Sequence, residues 1–133
     1  MAAKKSVYQR IKDKDSLAFS DLRFLFLNCA DLSGIDFTKA DLHGARLNRA
    51  NLTNTKMAAS NLKGAVLMDS DLSGADLRDA DLSGANLSGA RLDKAKLANV
   101  NFEEARVAGA VFSKCVGLSR ETKRFLASKG AVI

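Results

Sequence analysis

One histidine, two cysteines and a recurring set of aspartates are the residues of this 133-residue chain whose side chains could carry chemistry. His43 is the single imidazole, and a serine nucleophile needs a base of that kind beside it, with a third group to orient the base. The serines recur at fixed positions of a repeat without such a partner, so an enzyme is not expected. Cys29 and Cys115 belong to no Cys-x-x-Cys or Cys/His cluster, which leaves a structural zinc site nothing to build on. Asp21, Asp41, Asn61, Asp81 and Asn101 recur every twenty residues. Stacked a few ångströms apart, such oxygens could hold a hard cation. Asp or Asn is nevertheless part of most copies of the repeat, where a service to backbone geometry is the simpler role. No metal and no cofactor is expected.

What must position these residues is a five-residue phrase written nineteen times between Ser20 and Lys114: small residue, Asp or Asn, Leu, polar residue, Gly or polar residue. Ala80-Asp81-Leu82-Ser83-Gly84 is a clean copy. With the central residue called i, position i is Leu in fourteen copies, Phe at Phe37, Phe102 and Phe112, Met at Met57 and Val at Val107. Position i−2 is Ala in twelve copies, and i−1 is Asp or Asn in eleven. A helix cannot use this pattern, because five steps of ~100° smear the Leu positions around the whole cylinder. Spacing two between i−2 and i is strand alternation, both facing in while i−1 faces out. The added residues at i+1 and i+2 make a corner. The chain is therefore expected to coil into a β-solenoid with Leu and Ala stacked inside.

The corners bear on the number of sides. From Gly34 to Gly84, residues tolerant of positive φ (Gly, Asn) occupy every second i+2 position. If only those corners need positive φ, equivalent corners stack only when the number of sides is even, and four sides of five residues fit. At strand spacing of ~4.8 Å, about 4.75 coils then give a rod roughly 23 Å long. Cys29 and Cys115 would lie ~19 Å apart, beyond the ~7 Å between Cα atoms that a disulfide bridges. Cys115 continues the inward series Ala105, Ala110 and reads as a buried filler.

The motif in Ala40-Asp41-Leu42-His43-Gly44 and Ala85-Asn86-Leu87-Ser88-Gly89 resembles the pentapeptide-repeat family. The resemblance implies an all-β fold, a right-handed quadrilateral β-helix with four pentapeptides per coil. Some members of that family resemble a DNA duplex in size and charge and protect type II topoisomerases from quinolone drugs. That role suits a long acidic rod, usually a dimer.

The expected organisation is an N-terminal cap over 1–19, the β-helix over 20–114, and a C-terminal helix and tail over 115–133. An open solenoid needs such caps. Ser119 suits an N-cap, Glu121 the first turn, Lys129 the last, and Gly130 a stop. Leu118, Thr122, Phe125 and Leu126 share one face of that helix, and Ala131-Val132-Ile133 is expected to tuck in as an extended tail. Val7 and Ile11, with Tyr8 beside them, suggest a short helix within Lys4–Lys14. The net charge of +6 resides at the ends. Residues 1–19 and 115–133 carry +3 each, and the stretch between them has twelve residues of each sign. Basic ends discourage end-to-end growth, and the expected state is a monomer or an end-to-end dimer.

At twenty-residue spacing several opposite charges coincide, among them Asp36/Lys56, Asp76/Lys96 and Asp71/Arg91, which suggests ion pairs between coils. Fifteen-residue spacing gives a comparable set, so charge does not choose the number of sides. The run Arg46, Arg49, Lys56, Lys63 points in several directions on four sides, giving a mixed, solvated surface. A basic N-terminus leads into no apolar h-region, and no stretch approaches the ~18–20 apolar residues of a membrane span. A cytoplasmic protein without membrane contact is expected. Nucleic-acid binding through the basic ends lacks a continuous stripe and stacking aromatics. The leading expectation is a non-enzymatic interaction or scaffold protein with a protein partner, and a DNA mimic or a weak nucleic-acid binder is the alternative. Phe24 and Phe26 stand where outward residues belong, and the simplest expectation is that the N-terminal cap covers them. Left bare, they would form a candidate partner surface with the outward Val66, Met68 and Val111.

Overall fold

The computed structural model describes residues 3–133. From Leu17 onward the backbone repeats one hydrogen-bonding rule, and that rule sets the architecture. The N–H of each i residue from Leu17 to Leu97 donates to the carbonyl nineteen residues on, as in Leu42 to Asn61 (2.7 Å), and the corner at i+2 does the same from Phe19 to Lys94, as in Gly44 to Lys63 (2.9 Å). The N–H of i−1 donates backward by twenty-one residues, as in Asn61 to Ala40 (3.0 Å). The N–H of i−2 closes the turn onto the preceding i carbonyl, as in Ala45 to Leu42 (3.0 Å). Parallel bridges accordingly join i−1 residues twenty apart, such as Asp41 with Asn61 and Asn61 with Asp81. Four short sides make one coil, each side too brief to form an extended strand.

We number the sides by their inward residues: face I (Leu22, Leu42, Leu62, Leu82, Phe102), face II (Leu27, Leu47, Leu67, Leu87, Val107), face III (Leu32, Leu52, Leu72, Leu92, Phe112) and face IV (Leu17, Phe37, Met57, Leu77, Leu97). All of these are buried, most of them completely, and the Ala residues at i−2 fill the corners between them. Three buried hydroxyls interrupt the apolar series. Thr55, Ser60 and Ser70 donate to the carbonyls of Leu52 (2.9 Å), Met57 (2.8 Å) and Leu67 (2.7 Å), so none is left unpaired.

One backbone N–H per phrase, at i+1, is left over by this scheme. All eleven Asp and Asn residues at i−1 accept it with Oδ1, for example Ser73 N–H to Asp71 (2.9 Å), Ser83 to Asp81 (2.9 Å) and Glu103 to Asn101 (2.9 Å). On face II, where i−1 is Phe26, Arg46 or Val66, two asparagines at i+1 take over. Asn28 accepts from Asn48 N–H (2.9 Å) and Asn48 from Met68 N–H (3.0 Å).

The corners differ from the expectation. Every i+2 residue from Phe19 to Lys114 has a left-handed backbone, not every second one, including Phe24 (φ 60°), Lys39 (φ 56°) and Ala59 (φ 57°). All four corners are geometrically equivalent, so Gly and Asn ease a conformation that other residues also adopt, at a cost of roughly 1–2 kcal/mol each.

The winding starts at Asp15-Ser16-Leu17-Ala18-Phe19, one phrase ahead of Ser20, with Leu17 N–H donating to Asp36 (2.8 Å) and Phe19 N–H to Thr38 (2.9 Å). Before it stands α1 (Val7–Lys12), whose Ser6 accepts Gln9 N–H (3.1 Å) and whose Ile11 joins the core with Val7 packed against it. After the last coil comes α2 (Arg120–Ser128). Ser119 accepts Thr122 N–H (3.1 Å) at its start, and Gly130 turns the chain at φ 94° beyond its end. Leu126 of α2 is fully buried in the same core. Val132 then pairs in parallel with Val111. Among the described residues no helix is long and apolar enough to cross a membrane.

Candidate functional site

Exposed aromatic residues collect at the N-terminal end. Phe19 occupies the corner between faces IV and I, Phe24 the corner between I and II, and Phe26 the start of face II, all on the first coil. They are 72%, 61% and 66% exposed, and Tyr8 of α1 is exposed as well. The expectation that an N-terminal cap covers Phe24 and Phe26 is thus corrected. α1 spans only six residues and turns Ile11 and Val7 toward the core, so it does not reach the outer rim.

Each ring rests on the coil below it. Lys39 Nζ lies 5.6 Å from the Phe19 centroid, and the Arg46 guanidinium 5.1 Å from that of Phe26. His43 meets Phe24 edge to face at 5.2 Å. A Cβ built at Gly44 would come within 2.6 Å of the Phe24 ring, so the glycine makes room for it. Of the other expected surface residues, Val66 (half-buried) and Met68 (39% exposed) share face II with Phe26. Val111 does not join them, since it lies on face III beside the C-terminal tail. Phe19, Lys39 and Arg46 were not anticipated. Counting one phrase earlier than Ser20 would have placed Phe19 in the corner series.

The first coil also carries the edge of the ladder. On face IV the phrase containing Leu17 covers that edge. On face III the Lys14 ammonium replaces a missing coil, donating to the carbonyls of Asp31 and Ser33 (3.1 Å each) and pairing with the Asp31 carboxylate (3.1 Å). On faces I and II, among the described residues, the carbonyls of Arg23, Phe26 and Asn28 and the N–H of Phe26 have no partner.

Charges pair mainly along a single face, not between stacked coils as the twenty-residue coincidences suggest. Arg23 pairs with Asp21 (2.7 Å), Arg78 with Asp76 (2.6 Å) and Arg91 with Asp93 (2.9 Å). In the first two pairs the i−1 carboxylate is already turned along its own side by the i+1 N–H, which presents it to the arginine there; in the third the arginine is at i−1 and the carboxylate at i+1. The Arg23 guanidinium beside Asp21 holds its carboxyl at about 2, and the Ser33 hydroxyl and N–H, with Lys14, hold Asp31 at about 2.

A shallow groove of about 620 Å³ on face III is lined by Thr53, Ser73, Arg91, Asp93, Lys94 and Lys114, among others. Arg91 is engaged by Asp93 there (2.9 Å). Cys29 and Cys115 are both free thiols. Cys29 is exposed, whereas burial pushes the Cys115 thiol up to about 11 and its Sγ donates to the Leu92 carbonyl (2.9 Å). No group of three or more His, Cys, Asp or Glu among the described residues is arranged to hold a metal ion.

The profile of pentapeptide repeats matches residues 16–54, 45–84 and 75–113, in eight copies. The chain belongs to the pentapeptide-repeat family. Its solved relatives carry the right-handed quadrilateral β-helix that the twenty-residue ladder describes. The pentapeptide repeat protein alr5209 of Nostoc PCC 7120 is 36% identical with a TM-score of 0.71, over 74% of this chain and 86% of that one. Rfr23 of the cyanobacterium Cyanothece 51142 is 35% identical with a TM-score of 0.68, over 70% of this chain. The match spans 64% of the length of Rfr23. A pentapeptide repeat protein of the Arabidopsis thaliana thylakoid lumen is 31% identical with a TM-score of 0.51, over 83% and 81%. Comparison with curated proteins gave no match. In this pentapeptide-repeat protein the repeat accounts for the core and for the Asp and Asn residues, so the first-coil aromatics are what the family pattern leaves over.

Proposed function

We propose that this pentapeptide-repeat protein is a non-enzymatic interaction or scaffold protein whose partner surface lies on the first coil. With the Asp15–Phe19 phrase included, the rod has about five coils by the phrase count, with α1 and α2 acting as caps over its ends. The observation that carries the reading is the concentration of Phe19, Phe24 and Phe26 on one coil, each over half exposed, while the inward positions behind them are closed. Phe24 and Phe26 form an apolar patch on the first coil, and Arg46, bridged to both Phe26 and Val66, separates it from Val66 and Met68 further down face II. Exposed apolar patches rimmed by polar residues mark interaction sites. Val111 is left out of this surface.

The test is affinity capture from host extract with the protein and with a Phe19→Ser, Phe24→Ser, Phe26→Ser variant whose melting temperature is checked alongside. A partner held by the first and lost by the second supports the reading. An unchanged set of captured proteins removes the surface from consideration. A mobility shift with DNA at low salt would point to nucleic acid, and altered supercoiling by a type II topoisomerase would point to DNA mimicry.

A further inference from the structure

Phe26 has the backbone of an edge strand, with its N–H and C=O both open among the described residues and the carbonyls of Arg23 and Asn28 open beside it. Such an edge is a template for another extended chain. The far end of the same rod shows what fits one. There the tail after α2 lies along face III of the last coil. Val132 N–H donates to the Ala110 carbonyl (2.8 Å), and its own carbonyl accepts from Phe112 N–H (2.8 Å), while Gly130 accepts from Gly109 N–H (2.9 Å). A three-residue extended segment in parallel register is enough to close a side.

We propose that the N-terminal edge of face II takes an extended, acidic segment of a partner protein, laid parallel to Phe26–Asn28 as one further rung. This rests on the interaction reading above and names the partner's chemistry. The segment residues on either side of the one opposite Phe26 would accept its N–H and donate to its carbonyl, as Ala110 and Phe112 do toward Val132, and the segment's outward side chains would stack on the Phe26 and Phe24 rings. Acidity follows from what is already engaged nearby. Asp13 and Asp15 are held by Lys5, Asp21 by Arg23 and Asp31 by Lys14. Lys12, Lys39, Arg46 and Arg49 have no carboxylate within 4.0 Å among the described residues, so the unneutralised charge around the rim is positive. A nucleic-acid strand would bring phosphate acceptors to a rim of open carbonyls, which are acceptors too. A second copy would bring Arg120, Lys123 and Arg124 of α2 against Arg10 and Lys12 of α1, and its tail is occupied on its own face III.

The test is selection of a random twelve-residue peptide library on the full chain, with an Arg46→Glu variant for counter-selection. The expected result is enrichment of acidic sequences with apolar residues at alternate positions. Binding of a synthetic version should weaken at least about tenfold with Arg46→Glu and again when alternate backbone amides of the peptide are N-methylated. Lys94→Glu, on the distant face III corner, should leave it unchanged. No enrichment, enrichment of basic sequences, or binding indifferent to N-methylation overturns the proposal. A host protein captured equally by the wild type and by Arg46→Glu would keep the interaction reading and discard the edge; no captured protein at all would discard both.

Discussion

At the C-terminal end of the rod a helix covers the core and a tail covers part of the ladder: Leu126 is fully buried, and Val132 pairs with Val111. At the N-terminal end a helix also reaches the core, through Ile11, but no chain segment pairs with face III, and three phenylalanines stand out from the open ladder of faces I and II. Those two faces are open at the C-terminal end too, where among the described residues the N–H groups of Phe102 and Val107 have no backbone partner. The difference separates two tasks that a solenoid end must meet. Apolar layers need covering by side chains, and backbone edges need hydrogen-bond partners; one short helix meets the first without the second. Lys14 shows an intermediate solution, in which a single ammonium satisfies two carbonyls where no chain is available.

The largest expected effect contrasts a phenylalanine from each end. Phe112 is 2% exposed and meets Phe102 edge to face at 5.9 Å, so Phe112→Ala should cost about 3–5 kcal/mol in urea unfolding. Phe26→Ala should cost less than about 1 kcal/mol, since it loses an exposed ring and one cation–π contact. Equal losses would mean that the N-terminal rim is as much a part of the folded core as the C-terminal end. Next comes the junction into α2. A Cβ on Gly117 would lie 2.6 Å from the Ala98 backbone N, and its φ of 95° already disfavours a side chain. Gly117→Ala should therefore destabilise by about 1–3 kcal/mol, with the C-terminal amides losing exchange protection first.

Acid should loosen the N-terminal end. Asp21 and Asp31, both on the first coil, are held at about 2 against an ordinary 3.8. A depressed carboxyl contributes stability above pH ~4 that is lost as pH falls through 2. Exchange protection around Arg23 and Ser33 should thus drop between pH 4 and 2. Asp21→Asn and Asp31→Asn, which keep the Oδ1 acceptor, should flatten that fall; an identical fall in both variants would assign it elsewhere. The smallest effect is chemical. Cys29 should react with a disulfide reagent within the native protein, whereas Cys115, half-buried and held at about 11, should react only on unfolding. Similar native rates would show that the last coil opens readily.

The inward Leu and Ala series was legible from spacing alone, because burial follows the two-then-three period whatever closes the ends. The Asp and Asn residues were legible as servants of the backbone; which group they serve was not, because the leftover N–H at i+1 appears only when every ladder bond is counted. Four sides were reached through an alternation of Gly and Asn that the corners do not require, since all of them are left-handed. Ion pairs were misplaced because sequence spacing shows which charges stack and not which way a carboxylate is already turned. The exposure of Phe24 and Phe26 depended on how far α1 extends, and Val7, Tyr8 and Ile11 mark a helix without fixing its reach.

Amide hydrogen exchange at single-residue resolution compares the two ends most directly. In the isolated protein Gly109 and Phe112, donors to the C-terminal tail, should be protected nearly as well as Leu62 and Leu72 in the middle coils. Phe26 N–H should exchange near the rate of an unstructured chain. Strong protection at Phe26, or none at Gly109 and Phe112, would contradict a face II left open at the N-terminal end set against a face III closed at the C-terminal end.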